Sequence, residues 1–146
     1  MMRKFDFRLE PVLKHREIIE EQAATKKAKA QDEYQHNHDR LSEARNKLVG
    51  AVQDGQALNP FDMFNRLAYC DYMTGEIKRR EITLNRSQKK LEKCSNQLVK
   101  AMQERLVMEK LRDKKLNLYN QAAETAEQKE TDEMAVLMYN MAVKHY

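Results

Sequence analysis

The sequence contains no tryptophan, three glycines, two prolines and two cysteines in 146 residues. Each scarcity rules something out. Aromatic residues make up 7% of the chain, which leaves too few large side chains for a thick globular core. Cys70 and Cys94 form neither a CxxC pair nor any zinc spacing. That argues against a disulfide framework and fits reduced thiols in a cytosolic protein. No apolar run approaches the length of a membrane span, so no transmembrane segment is expected. The opening MMRKFDFRLEPVL has no continuous apolar stretch, so no signal peptide is expected either. A glycine-rich phosphate cradle is missing. His36 and His38 stand two apart, and a helix points such residues in different directions. His15 and His145 have no metal-ligand spacing. The expectation is a chain with no catalytic residue, no metal and no cofactor, and therefore not an enzyme.

What is abundant is Ala, Glu, Lys, Gln, Leu and Arg, all good helix formers, and 34% of residues are charged. This is the composition of long helices and coiled coils. The chain-bending residues are concentrated in one place. Two glycines and one proline fall in GAVQDGQALNPF, from Gly50 to Phe61. Gly55 reads as a helix stop. Asn59 reads as an N-cap, with Pro60 at the first helical position. The predicted fold is all-α: an antiparallel two-helix coiled-coil hairpin with a longer C-terminal helix. It forms one domain over 1–146, with helix 1 at about 11–52, a turn at about 53–60 and helix 2 at about 61–141. The unequal arms leave a C-terminal overhang.

Each arm carries a seam at alternating three- and four-residue steps. The first runs Val12, Arg16, Ile19, Ala23, Lys27, Ala30, Tyr34, Asn37, Leu41, Ala44, Leu48, Ala51. The second runs Ile77, Arg80, Leu84, Ser87, Leu91, Cys94, Leu98, Ala101, Arg105, Met108, Arg112, Lys115, Tyr119, Ala122, Ala126. Polar residues at such positions fix register and lower stability. Gly75 reads as either a kink or an exposed helical glycine.

The net charge is +4, unevenly spread. Between Glu76 and Lys115 stand thirteen Lys/Arg and six Asp/Glu; from Leu116 onward there are two and five. A basic run on an exposed helix is ordinarily a solvated face. KRREITLNRSQKK has no interleaved aromatics, so no nucleic-acid partner is expected. Two apolar surfaces stand out. One follows the turn and includes Phe61, Phe64, Tyr69, Tyr72 and Met73, with Ile77 one turn on from Met73. It plugs the hairpin end or docks a protein, since aromatics and Met are enriched in interface cores. The other is the stripe Met134, Leu137, Met138 and Met141.

At these residues the sequence resembles the FliJ family, small coiled-coil proteins of the bacterial flagellar type III export apparatus. KFDFRLEPVLKHRE is similar to that family's aromatic-x-aromatic opening. Tyr69-x3-Met73-x3-Ile77 resembles its aromatic-x3-aliphatic-x3-aliphatic stretch, from which the chain departs at Gly75 and Glu76. MEKLRDKKLNLYNQAAETAEQKETDEMA carries the most specific likeness. The resemblance implies a non-catalytic stalk similar to that of rotary ATPases. It implies binding to a hexameric export ATPase, to the cytoplasmic domain of the membrane export gate, and to export chaperones. The place implied is the cytoplasm, peripheral to the inner face of the membrane at the flagellar base. The expected gate-binding residues are Phe64, Tyr69, Tyr72, Met73 and Ile77. The expected ATPase-binding residues are Phe5, Phe7, Leu9 and Val12, with Arg105, Lys110, Arg112, Lys114 and Lys115. The free chain is expected to be a monomer. The equivalent stalk of a virulence-type secretion system and a generic structural coiled coil are the competing readings.

Overall fold

A computed structural model describes residues 3–53 and 59–145. Helix α1 spans Glu10–Gln53 and helix α2 spans Pro60–Lys144, 44 and 85 residues long. Among the described residues there is no strand. The fold is an all-α antiparallel coiled-coil hairpin whose second helix is the longer. Gly55 and the rest of the expected turn at 54–58 lie outside the described residues.

Local chemistry sets the described helix ends. Asn59 caps α2: its Oδ1 accepts from the Asp62 N–H at 2.8 Å, and its carbonyl accepts from Met63 N–H at 3.0 Å. Pro60 then stands where its missing N–H costs least. At the start of α1, Phe7 O accepts from Glu10 N–H and Leu9 O from Leu13 N–H, each at 3.0 Å. Gly50 and Gly75 both lie inside helices, neither with positive φ. Gly75 therefore neither caps nor breaks α2.

The chain divides into two compact units. The larger is Ile19–Met102. Its seam buries Ala30, Leu41 and Ala44 of α1 and Met73, Ser87 and Ala101 of α2. Tyr34, Asn37, Ile77, Leu84, Leu91 and Leu98 are half-buried beside them. Alanine at the seam lets the helices approach closely, so the core is one side chain thick. Four cross-helix bonds set the direction. Lys90 Nζ donates to Glu33 at 2.9 Å, Asn37 donates to Ser87, Arg80 Nη1 donates to Arg40 O at 2.7 Å, and Arg45 Nη2 donates to Glu81 at 3.0 Å. Residue numbers fall on one helix as they rise on the other, which is antiparallel pairing.

The second unit is Met1–Ile18 with Gln103–Tyr146. Phe7 and Leu13 are buried, and Arg16 Nη1 meets Glu104 Oε2 at 2.6 Å. The segment before α1 is fastened to α2. The Phe5 ring tilts against Tyr119 with centroids 5.6 Å apart, and Tyr119 Oη donates to Arg3 O at 2.7 Å.

Here the structure corrects the sequence seam. Val12 is 40% exposed, while Leu13 is 0% exposed and takes the core position. The step back from Arg16 is three residues, which keeps the alternation running to Leu9. On α2, Lys115 and Ala122 are exposed, and Leu116 and Ala123 are half-buried in their place. A four-residue step from Arg112 to Leu116 shifts the phase. It keeps the Lys115 ammonium in water, where burial without a partner would be costly. From Glu127 to His145 every residue is exposed. Among the described residues, nothing packs on the final turns of α2.

Candidate docking surfaces

The first turns of α2, within the larger unit, place their apolar residues on two faces. Phe61, Phe64 and Tyr72 are 72%, 69% and 61% exposed, and Met63 and Leu67 are exposed with them. Met73 is buried and Ile77 half-buried, both facing α1, and Tyr69 stands at the edge between the two faces. The expected set Phe64, Tyr69, Tyr72, Met73 and Ile77 is thus not one surface. Spacing by four does put Tyr69, Met73 and Ile77 on one side of the helix, but that is the side α1 covers. Met73 and Ile77 are core residues. Met63 and Leu67 were missed as surface residues, and Phe61, read as part of the apolar surface, is exposed. The available signal was their position off the seam that ends at Ile77.

One turn further, Glu76 is the hub of a charge cluster. Arg79 Nη2 donates to its carboxylate at 2.9 Å and Arg80 Nε at 3.1 Å. Hydrogen bonds from Arg79 and then Arg80 hold its carboxyl below the ordinary 4.5. With Arg40, Asn37 and Thr83 the cluster lines a shallow groove between the helices. Lys90 is raised above the ordinary 10.5 by its hydrogen bond to Glu33. Both groups face water, and exposed pairs of this kind contribute little stability. The Lys90–Glu33 pair, which joins the two helices, helps set register.

In the smaller unit, the residues expected to meet an ATPase ring also separate. Phe5, Phe7 and Leu9 are wholly or partly buried and belong to the fastening of the N-terminal segment. Arg105 is 20% exposed and bonds Glu109 at 2.7 Å. Val12, Lys110, Lys114 and Lys115 are exposed, and Arg112 is half-buried. The tail adds an apolar surface: Met134, Leu137, Met138 and Met141 are exposed, and so are Val136, Tyr139 and Val143 on the opposite side. Among the described residues no three His, Cys, Asp or Glu cluster as a metal site. No described helix is long and apolar enough to cross a membrane.

A thin helical pair with aromatic and basic stripes on its outside belongs to the class of coiled-coil adaptor proteins, which act through surfaces. The family model described as "Flagellar FliJ protein" matches residues 5–144, and the chain belongs to that family. It is thereby a coiled-coil protein of type III export, in a family of structural and adaptor proteins. A protein of Chlamydia trachomatis described as a YscO homologue, CT670, has the same fold. Its solved structure matches at a TM-score of 0.65 with 15% identity, over 98% of this chain and 100% of that one. No curated protein compared with the chain matches it.

Proposed function

We propose that this chain is a non-catalytic stalk of bacterial flagellar protein export, working in the cytoplasm at the inner face of the membrane. It couples a hexameric export ATPase to the cytoplasmic domain of the export gate and helps to handle export chaperones. The observation that carries the reading is the family match across nearly the whole chain.

The ATPase contact uses the outer cations of the smaller unit, Lys110, Arg112, Lys114 and Lys115, beside Val12. Phe5, Phe7 and Leu9 support this surface from within, and Arg105 is held by Glu109. The gate contact uses the exposed aromatics Phe64, Tyr69 and Tyr72. Met73 and Ile77 hold that segment of α2 against α1.

The test is binding and ATPase stimulation with purified partners. Arg112→Glu with Lys115→Glu is expected to weaken ring binding and stimulation, more so at low salt, because exposed charges are screened over about 10 Å at 0.1 M. The same pair leaves gate binding intact. Phe64→Ala with Tyr72→Ala removes gate binding with helicity unchanged, since exposed anchors add little to a free monomer's fold. Unchanged stimulation by the charge reversals, together with its loss in the aromatic variants, means that the two surfaces are assigned the wrong way round. The fold likeness to the YscO homologue keeps the equivalent stalk of a virulence-type system as a second reading. A pull-down that captures an ATPase of that system, and not the flagellar one, decides for it.

A further inference from the structure

The outward side of α2 in the larger unit is one continuous face. Taking Leu84 and Ser87 as seam positions, the row pointing directly away from α1 is Phe61, Ala68, Gly75, Ile82, Lys89, Asn96, flanked on one side by Asn65, Tyr72, Arg79, Arg86, Lys93, Lys100 and on the other by Phe64, Asp71, Lys78, Asn85, Glu92, Val99. Six cations and two carboxylates, Asp71 and Glu92, stand on these three rows. The face is sorted along its length. Toward Pro60 it is aromatic and apolar, with Phe61, Phe64 and Tyr72 more than half exposed. From Lys78 to Lys100 it is basic.

These cations differ from the others in the unit. Arg80 and Lys90 cross to α1 and bond there, and Arg45 of α1 bonds Glu81 of α2. Arg86, Lys89, Lys93 and Lys100 are exposed and make no ion pair among the described residues. From Arg86 to Lys100 the unpaired charge runs for about 20 Å, at 1.5 Å per residue, and an anionic surface lying along it would relieve its self-repulsion.

We infer that this face lies on an anionic lipid bilayer, with Phe61 and Phe64 in the interface and Arg79, Arg86, Lys89, Lys93 and Lys100 over the headgroups. An apolar insertion and a polybasic patch are the two signals that together hold a protein at a membrane surface. Four of the six cations on these outer rows, from Lys78 to Lys100, are lysines. Lysine is a point charge on a flexible stem, suited to a plane of headgroups, whereas arginine's fork suits single carboxylates of a protein partner. Nucleic acid fits less well, since no aromatic lies among the cations to stack on bases. The inference does not rest on the export reading, because protein-free vesicles test it.

Co-sedimentation of the purified chain is compared on vesicles of phosphatidylcholine alone and of phosphatidylcholine with phosphatidylglycerol. Binding is expected only to the second and is lost at high salt. Arg86→Glu with Lys89→Glu and Lys93→Glu should weaken it by roughly 100-fold or more, at about fivefold per cation removed. Circular dichroism should not change, because none of the three side chains makes a hydrogen bond or ion pair among the described residues. Phe61→Ser with Phe64→Ser should weaken binding by about tenfold or more, since each ring takes several apolar carbons into the interface. Four results overturn the inference: no binding to anionic vesicles at low salt; equal binding to both vesicle types; undiminished binding by the charge-reversed chain; or displacement from vesicles by an acidic peptide at equal charge concentration. The last result makes an acidic protein the occupant.

Discussion

Asn37 of α1 donates its side-chain amide to Ser87 Oγ of α2, and Ser87 Oγ donates in turn to Thr83 O at 3.1 Å. Ser87 is 4% exposed, the one buried polar residue of the described chain. No buried side-chain polar atom there lacks a partner. A polar layer in a seam of Leu, Ala and Met tolerates only one register, because a slip would leave both groups facing hydrocarbon.

Replacing both partners by apolar residues should therefore stabilise the hairpin and loosen its specificity. Asn37→Leu with Ser87→Ala is expected to raise the melting temperature by a few degrees, about 1 kcal/mol. Ser87→Ala alone is expected to lower it slightly, since Asn37 loses its acceptor. A double-mutant cycle by thermal melting gives the coupling, expected at about 0.5–1.5 kcal/mol. Additive effects mean that the bond contributes nothing to pairing.

Leu13→Ala is expected to cost about 2–4 kcal/mol, because its side chain is fully buried and truncation leaves a cavity. Val12→Ala, at a site 40% exposed, should cost less than about 1 kcal/mol. Chemical denaturation of the two variants decides which residue faces α2. A larger loss at Val12 would restore the seam read from the sequence.

That pair also shows how far the sequence could be read. The steps on α1 were legible from Arg16 to Ala51 because every inward position is reached by a step of three or four, with one slip of two successive fours through Ala23 to Lys27. At the helix start the rhythm allowed a step of three or four, and Val12 and Leu13 are equally apolar. Only the partner helix decides. The same ambiguity recurs at Arg112, where the sequence allowed Lys115 or Leu116. The charge of Lys115 was the usable signal. Tyr69, Met73 and Ile77 looked like a docking face because spacing tells which residues share a side, not what covers that side. The sorted outer face of α2 was present as text, but its meaning depended on knowing which side α1 occupies.

Gly75→Ala should stabilise the chain by about 1 kcal/mol. The glycine is inside α2 with ordinary helical φ, and an added Cβ meets nothing within 4 Å. Glycine in a helix interior is less favourable than alanine by about that amount. Thermal melting checks it. A lower melting temperature would mean that α2 bends at this point.

Glu76 provides a pH test. Its folded carboxyl is held below the ordinary 4.5, first by Arg79 and then by Arg80. A depressed acid contributes stability above its unfolded value and loses it as pH falls through the folded value. The wild-type melting temperature should therefore drop more than that of Glu76→Gln once pH passes below about 4.5. High salt should narrow the difference, because the cluster faces water. Parallel pH profiles would show that the two arginines hold Glu76 no better in the folded chain than in the unfolded one.

The end of α2 is the last case. From Met134 to Val143 only Asn140 is polar, and the exposed apolar residues lie on opposite sides of the helix. Helices that are apolar all round are normally buried, yet here no described residue covers the segment. An uncovered helical end of this length is marginal in water, since helices in proteins are held mainly by packing. Deleting residues 134–146 is therefore expected to leave the unfolding midpoint within about 1 °C, because no packed contact is lost. The deletion should reduce self-association, since it removes the largest uncovered apolar surface of its unit. Amide exchange in the full chain should be fast from Glu127 onward and slow around Leu13, following local packing. Analytical ultracentrifugation and hydrogen exchange measure both. A deletion that lowers the unfolding midpoint by many degrees would show that the tail folds back onto the hairpin in solution, and slow exchange after Glu127 would show the same.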